Sequence, residues 1–221
     1  MRRVLVLRPQ PGASETAQRA REQGLDAVTA PLFEIEPLEW EAPEAGSFDG
    51  VLLTSANAVR SAGEQIRELR GLPAYAVGQA TADAAREAGF DVAAVGDAGV
   101  ERLLGSIETD LRLVHLCGED RQTAPDARQR ISAVPVYRAK AIAQPDLGAA
   151  AGAVALIHSP RAGRRLAELV KDRASISIAA ISAAAAEAAG QGWATVEAAE
   201  QPTDQALLAL AARLCNKPDP E

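Results

Sequence analysis

Val51-Leu52-Leu53-Thr54-Ser55-Ala56-Asn57-Ala58-Val59 decides the fold, and it returns as Ala155-Leu156-Ile157-His158-Ser159-Pro160-Arg161-Ala162-Gly163. A short unbroken apolar run bounded by small polar residues predicts a strand buried on both faces, as in a parallel sheet. Ser55 and Ser159 stand where a helix N-cap belongs, and Pro160 occupies the first helical position, where its missing N–H costs nothing. Such a strand-to-helix turn leaves free backbone N–H groups and a positive helix end, suited to an anion. Two such seats in one chain are the first functional clue.

The echo continues. Tyr75-Ala76-Val77-Gly78-Gln79-Ala80-Thr81 follows the first copy and Ile178-Ala179-Ala180-Ile181-Ser182 follows the second. Gly89 stands 34 positions beyond Ser55 and Gly192 stands 33 beyond Ser159, each followed by an aromatic residue (Phe90, Trp193). A short strand and a helix carrying Leu103-Leu104 or Leu207-Leu208 come next. This is an internal duplication of a βαβαβα unit, with too few copies for a solenoid.

Outward from the repeats, the N-terminal segment predicts a strand over Arg3–Arg8. A helix from Ser14 as cap to Gln23 follows, ended by Gly24 at C′, and then a strand over Asp26–Ala30. Helices are predicted over Ala56–Leu69, Ala80–Ala88, Val100–Ser106 and Ala124–Arg130. Strands are predicted over Gly50–Leu53, Ala74–Val77, Asp91–Val95 and Arg112–Cys117. Two stretches alternate instead, Leu32–Leu38 and Ala133–Ile142, as exposed strands do. Paired antiparallel, they would set Glu34 and Glu36 against Arg138 and Lys140. The organisation expected is a discontinuous α/β domain of residues 1–33 plus 143–221, an inserted α/β domain of residues 38–135, and linker strands 34–37 and 136–142. A split near residue 110 is disfavoured because the first half would hold strands that the second lacks.

The bulk numbers narrow the function. With 221 residues, 48% of them apolar, the chain can bury real cores. A net charge of −7 and 3% aromatic residues argue against nucleic-acid binding. The Val4–Leu7 run is too short for a signal peptide, and no run approaches a membrane span. Cys117 and Cys215 lack metal-type spacing and read as reduced thiols, so a cytoplasmic protein is expected. No Gly-x-Gly-x-x-Gly or other Gly-rich phosphate loop is present, which disfavours a nucleotide enzyme.

Taken in order, several stretches resemble one family, uroporphyrinogen-III synthase of tetrapyrrole (heme) biosynthesis. They are Leu7-Arg8-Pro9, Leu53–Val59, Tyr75–Ala82, Val136-Tyr137, His158–Ala162, Ile181-Ser182 and Pro202 before a Leu-rich helix. The resemblance spans nearly the whole chain. It implies two similar doubly wound, flavodoxin-like parallel-sheet domains joined by a two-stranded antiparallel linker. It also implies a lyase reaction without cofactor or metal. Hydroxymethylbilane loses its hydroxyl as water, ring D is inverted through a spirocyclic intermediate, and the macrocycle closes to uroporphyrinogen III. The bilane's eight carboxylates would be gripped in an interdomain cleft.

The resemblance makes Tyr137 the catalytic candidate, since a phenol keeps its proton at neutral pH and can give it to a departing hydroxyl. Substrate-binding candidates are Arg8, Thr54, Ser55, Ala56, Gly78, Thr81, Arg138, Ser159, Arg161 and Ser182. The arginines suit bidentate carboxylate contacts. After Ile181 the family's threonine is missing, leaving Ser182 as the hydroxyl there. Arg121 is a weaker candidate of the same kind, His115 reads as a core residue, and neither histidine has a Ser, Cys or carboxylate arrangement that suggests a triad or metal site. A monomer is expected, with the preceding pathway enzyme as a further candidate partner and with no nucleic acid or membrane. The rival reading is a cytosolic two-domain, hinge-type module that binds a polycarboxylate unchanged.

Overall fold

Short runs of Val, Leu, Ile and Ala become strands because both of their faces are covered. β1 (Val4–Val6), β4 (Gly50–Leu53), β9 (Val154–Ile157) and β10 (Ser177–Ala180) are buried at every position. The computed structural model describes residues 2–96, 99–120 and 127–216. The remaining strands are β2 (Ala27–Thr29), β3 (Phe33–Pro37), β5 (Ala74–Val77), β6 (Val92–Gly96), β7 (Arg112–Gly118), β8 (Arg130–Ala141) and β11 (Thr195–Ala198). The helices are α1 (Gly12–Glu22), α2 (Ala56–Ser61), α3 (Gln79–Glu87), α4 (Val100–Gly105), α5 (Pro160–Leu169), α6 (Ala183–Ala189) and α7 (Asp204–Cys215).

The chain forms two compact units, residues 1–34 with 141–221 and residues 35–140. The first holds a parallel sheet in the order β11-β10-β9-β1-β2. One of its cores packs Val4, Val6, Val154, Leu156 and Ala179 against Ala13, Ala17 and Ala20 of α1 and Leu207, Leu208 and Leu210 of α7. The second holds the order β3-β8-β7-β4-β5-β6. There Val51 and Leu53 face α2 and α3, while Leu52 and Leu113 face Leu103 and Leu104 of α4. Alternate residues of one strand thus serve opposite layers.

The two sheets share one plan. Gly50 pairs with Leu113 and Ala74 with Val51, as Val154 pairs with Val4 and Ile178 with Ala155. β4, β5 and β6 therefore correspond to β9, β10 and β11, and β7 and β8 correspond to β1 and β2. Divided near residue 110, the first half holds six of the described strands (β1–β6) and the second five (β7–β11), the long β8 spanning the counterparts of β2 and β3. The first sheet combines two strands from the first half with three from the second, and the second sheet two from the second half with four from the first. From Leu32 and Val136 onward the halves run at a constant offset of 104, as Gly50 and Val154 do.

β8 is one strand with two partners. Arg112 to Cys117 of β7 pair parallel with Arg130 to Pro135. Beyond the bulge at Val136, the strand pairs with β3. The Leu38 N–H donates to the Val136 carbonyl and the Ile142 N–H to the Leu32 carbonyl, both at 3.0 Å. Partner numbers rise on one strand as they fall on the other, so this ladder is antiparallel. Glu36 accepts from both Arg138 (2.8 Å) and Lys140 (2.7 Å), in line with the glutamates expected to face these cations.

Three local expectations are corrected. Helix α1 starts at Gly12 with Pro11 at its N-cap, and Ser14 is internal, its N–H and hydroxyl bonded to the Gln10 side chain. The Pro9 carbonyl already accepts from Ala13, so the turn begins earlier than a serine cap suggested. The helix expected over Ala56–Leu69 ends at Ser61 because Gly63, at φ 66°, breaks it into a 3-10 turn over Glu64–Leu69. Of the helix expected over Ala124–Arg130, residues 127–129 are not helical and Arg130 opens β8. Its earlier part, like Arg121, lies outside the described residues.

Candidate functional site

In the first unit, Arg8, Ser159, Arg161 and Ser182 follow the carboxyl ends of β1, β9 and β10, three neighbouring strands. Ser159 caps α5 by accepting from the Ala162 N–H at 3.2 Å, and Ser182 caps α6 from Ala185 at 3.3 Å. The Arg161 guanidinium lies 4.5 Å from the centroid of the Phe33 ring. A cation over a ring face in this way is stabilised by roughly 0.5–1 kcal/mol.

Arg8 belongs to a polar cluster that the sequence reading missed. Its centre is Asp204, the first residue of α7. Asp204 accepts from the Thr16 hydroxyl (3.0 Å), from Arg19 Nε (2.9 Å) and, at 3.1 Å, from His158 Nε2. Arg8 Nη1 lies 3.8 Å from the same carboxylate and 3.4 Å from Thr16 Oγ1. A Cβ on Gly12 would meet the Arg8 guanidinium at 2.6 Å, so that glycine leaves room for it. The His158 side chain is only 9% exposed. Burial pushes its imidazole below the ordinary pKa, outweighing the bond to Asp204. The ring is therefore neutral near pH 7, with its proton on Nε2, since a carboxylate can only accept. Burial pushes Asp204 the other way, but the His158 bond and Arg19 together hold its carboxyl well below the usual range. A histidine–carboxylate pair thus exists that the sequence reading did not find. Thr203-Asp204 just before the Leu-rich run was its one local signal, and the 46-residue separation from His158 hid the contact.

In the second unit, Thr54, Ser55 and Ala56 end β4 and open α2, and Gly78 precedes α3. Thr54 Oγ1 shares a 2.8 Å hydrogen bond with His115 Nε2, so the buried His115 supports the turn from beneath. Ser55 caps α2 by accepting from Asn57 at 3.2 Å. Gly78 holds φ 80° and offers no side-chain cap. Thr81 lies three residues later and is 5% exposed, packed inward, so its side chain does not line the open turn. By register, Gly78 corresponds to Ser182.

Tyr137 sits half-buried on β8 against the core of the second unit. Its carbonyl accepts from the Glu119 N–H at 2.8 Å. Arg138, next along the strand, is turned to Glu36, with Nε and Nη2 both 2.8 Å from Oε2. The candidates therefore fall into two sets by unit: Arg8, Ser159, Arg161 and Ser182 in the first, and Thr54, Ser55, Ala56, Gly78, Thr81, Tyr137 and Arg138 in the second.

Arg8, Ser159, Arg161 and Ser182 in one unit and Thr54, Ser55, Ala56 and Gly78 in the other follow the carboxyl ends of parallel strands, where α/β sheets bind ligands. Capped helix starts with hydroxyls and nearby guanidinium groups can take carboxylates, and the phenol can donate a proton. None of the described helices is long and apolar enough to cross a membrane.

Comparison with known proteins agrees with this arrangement. The crystal structure of uroporphyrinogen-III synthetase from Helicobacter pylori 26695 superposes with a TM-score of 0.67 at 18% identity, covering 97% of this chain and 100% of that one. A mutant uroporphyrinogen III synthase from the extremely thermophilic bacterium Thermus thermophilus superposes with a TM-score of 0.56, also at 18% identity, over 98% and 100% of the two chains. At that identity the likeness is one of fold. A uroporphyrinogen-III synthase from Chlorobaculum parvum is 31% identical over 90 residues, a stretch that is 37% of this chain and 37% of the relative. The match thus spans just over a third of that relative's length. Residues 14–209 match the family model described as uroporphyrinogen-III synthase HemD. The chain belongs to the uroporphyrinogen-III synthase family.

Proposed function

We propose that this protein is a uroporphyrinogen-III synthase, converting hydroxymethylbilane to uroporphyrinogen III with loss of water and inversion of ring D. The observation that carries the reading is the family match over residues 14–209, together with hydroxyl-capped helix starts at the carboxyl ends of both sheets. The substrate's carboxylates are taken by backbone N–H groups and hydroxyls at Thr54, Ser55, Ala56, Gly78, Ser159 and Ser182, with Arg8 and Arg161 alongside. Thr81 and Arg138 act at one remove, the first by packing under its turn and the second by holding the ladder through Glu36.

Tyr137 gives its phenolic proton to the bilane's hydroxyl as the C–O bond breaks, and water leaves. The electron-rich pyrroles supply the electron pair: ring D attacks through its substituted carbon to form the spirocyclic intermediate. The bond from that carbon to its old methylene bridge breaks, the bridge re-forms on ring D's unsubstituted α-carbon, and the proton that this α-carbon loses restores the phenol. No oxidant or reductant is needed. Most of the acceleration comes from holding one flexible chain in a reactive shape, so proton donation is an aid rather than the whole of catalysis.

The same reading makes the protein a cytoplasmic monomer that receives the bilane from the enzyme before it. Cys117 and Cys215 are buried and not joined in a disulfide, which suits a reducing compartment. Val95 and Val196 are the large apolar side chains left exposed among the described residues, too few for an obligate interface.

The test is a coupled assay on fresh hydroxymethylbilane with the porphyrin isomers separated after oxidation. Type III product above an enzyme-free blank is expected. Type I product alone, at the blank's rate, sinks the reading and leaves a module that binds a polycarboxylate unchanged. Tyr137→Phe is expected to slow turnover by about tenfold to a hundredfold, at or below the low end of what a positioned proton donor contributes. A folded but wholly inactive Tyr137→Phe contradicts the view that positioning does most of the work.

A further inference from the structure

Tyr137 stands where β8 changes partners, and the local backbone is built around its ring. Up to Cys117 and Pro135, β7 and β8 run in simple parallel register. The next pair is Gly118 with Tyr137, so Val136 is an extra residue on β8. A bulge of this kind re-aims the side chain that follows it. Val136 is fully buried and pins the bulge to the core, while Pro135 has no N–H to continue the ladder. The Glu119 N–H then closes on the Tyr137 carbonyl. The side chain that emerges lies across Gly118.

Gly118 has no side chain to resist it. A Cβ at this position would stand 2.9 Å from Tyr137 Cζ, 3.0 Å from its hydroxyl oxygen and 3.1 Å from Cε2. Real Cβ atoms do not approach ring atoms that closely, and here the ring is also packed against the core of the second unit. The backbone does not explain the glycine, because Gly118 is not among the glycines that hold a positive φ. What requires a glycine is the phenol. On the Phe33 side of the duplication the ring is covered by Arg161 instead.

We propose that Gly118 is a positioning residue: its missing side chain forms the notch that fixes the Tyr137 hydroxyl at the carboxyl edge of β7. This rests on the reading of Tyr137 as the proton donor. Any side chain at position 118 pushes first on the part of the ring that carries the reacting proton. Displacements of about an ångström at a reacting group can cost two orders of magnitude in rate.

The experiment compares Gly118→Ala in the wild-type and Tyr137→Phe backgrounds, measuring kcat, KM and melting temperature on hydroxymethylbilane. In the wild type, kcat is expected to fall about tenfold with KM within about twofold, the pattern of an interaction made in the transition state. In the Tyr137→Phe background the same substitution is expected to change kcat by less than about twofold, because no hydroxyl remains to misplace. Equal losses in both backgrounds, or no loss in the wild type, overturn the proposal while leaving Tyr137 as the donor. If Tyr137→Phe alone leaves kcat unchanged, the reading of Tyr137 fails, and the proposal with it. Should Gly118→Ala prove too unstable to assay, Tyr137→Leu is added to it. Recovered melting temperature identifies the ring as the group in conflict, and no recovery overturns the notch.

Discussion

The two units are built to one plan and differ where the plan meets chemistry. Five strands of each sheet correspond in order, and at an offset of 104 Pro31-Leu32-Phe33 matches Pro135-Val136-Tyr137. Yet one ring carries a hydroxyl and the other does not. Phe33 lies under Arg161, whereas Tyr137 lies over Gly118. Beneath the first helix start, Thr54 leans on His115 in one unit, while His158 leans on Asp204 in the other. At the second, a bare Gly78 stands against the capping hydroxyl of Ser182. A duplicated framework can therefore keep its backbone register while each copy takes on separate polar contacts.

The largest test of this comparison is in the helix pairs. Where α5 crosses α6, a Cβ on Gly163 would lie 2.9 Å from the Ala185 carbonyl oxygen and 2.9 Å from the Ala189 nitrogen, backbone atoms that cannot swing aside. The corresponding residue of α2 is Val59, which packs into its core at 7% exposure. Gly163→Val is expected to cost more than about 3 kcal/mol, seen as a large fall in melting temperature. Val59→Ala is expected to cost about 1–2 kcal/mol. A Gly163→Val protein that melts with the wild type shows that the two helix pairs are not packed differently.

The next effect concerns the polar supports. Asp204→Ala strands His158, Thr16 and Arg19 and is expected to cost about 2–3 kcal/mol, measured by denaturant unfolding. Its pH dependence has a fixed sign. His158 and Asp204 both hold folded pKa values below their ordinary ones. In each case the unfolded chain binds the proton more readily than the folded one, so stability falls with falling pH. The loss starts below about pH 6.5 with His158 and deepens below about pH 4 with Asp204, given ordinary unfolded values. His158→Gln should flatten the upper part of that decline. An unchanged slope between pH 7 and pH 5 in that variant removes His158 as its cause.

The smallest effect belongs to the ladder. Glu36→Gln loses its exposed pairing with Arg138 and Lys140 and is expected to lower the melting temperature only slightly, the effect diminishing in high salt. A larger, salt-independent loss would mean that the ladder depends on Glu36 for more than charge pairing.

Much of the fold was legible because its signals are local. The runs Val51-Leu52-Leu53 and Ala155-Leu156-Ile157 announce buried strands, and Ser55 and Ser159 announce the helices that follow. Alternation in Glu34–Pro37 and Arg138–Ala141 marked the ladder, and Glu36 does meet Arg138 and Lys140 across it. The matching Pro-Leu-Phe and Pro-Val-Tyr triplets stood in the sequence as a sign of equivalence, but only the strand register fixes their alignment. Gly63 was equally visible, and its power to end a helix was underweighted.

What the sequence determined by itself are features decided within a few residues: apolar runs long enough to be strands, hydroxyls able to cap the next turn, and two copies of both. The tertiary structure decided which groups from distant segments share one environment. Asp204 meets His158 and Arg19 only because α7 begins beside the ends of β9 and α1, and burial then sets the direction of the His158 pKa while its neighbours set that of Asp204. Gly118 owes its importance to a ring 19 positions away that a bulge turns toward it. Side-chain contact and dielectric are properties of the folded neighbourhood, and the order of residues along a chain does not contain them until the chain has folded.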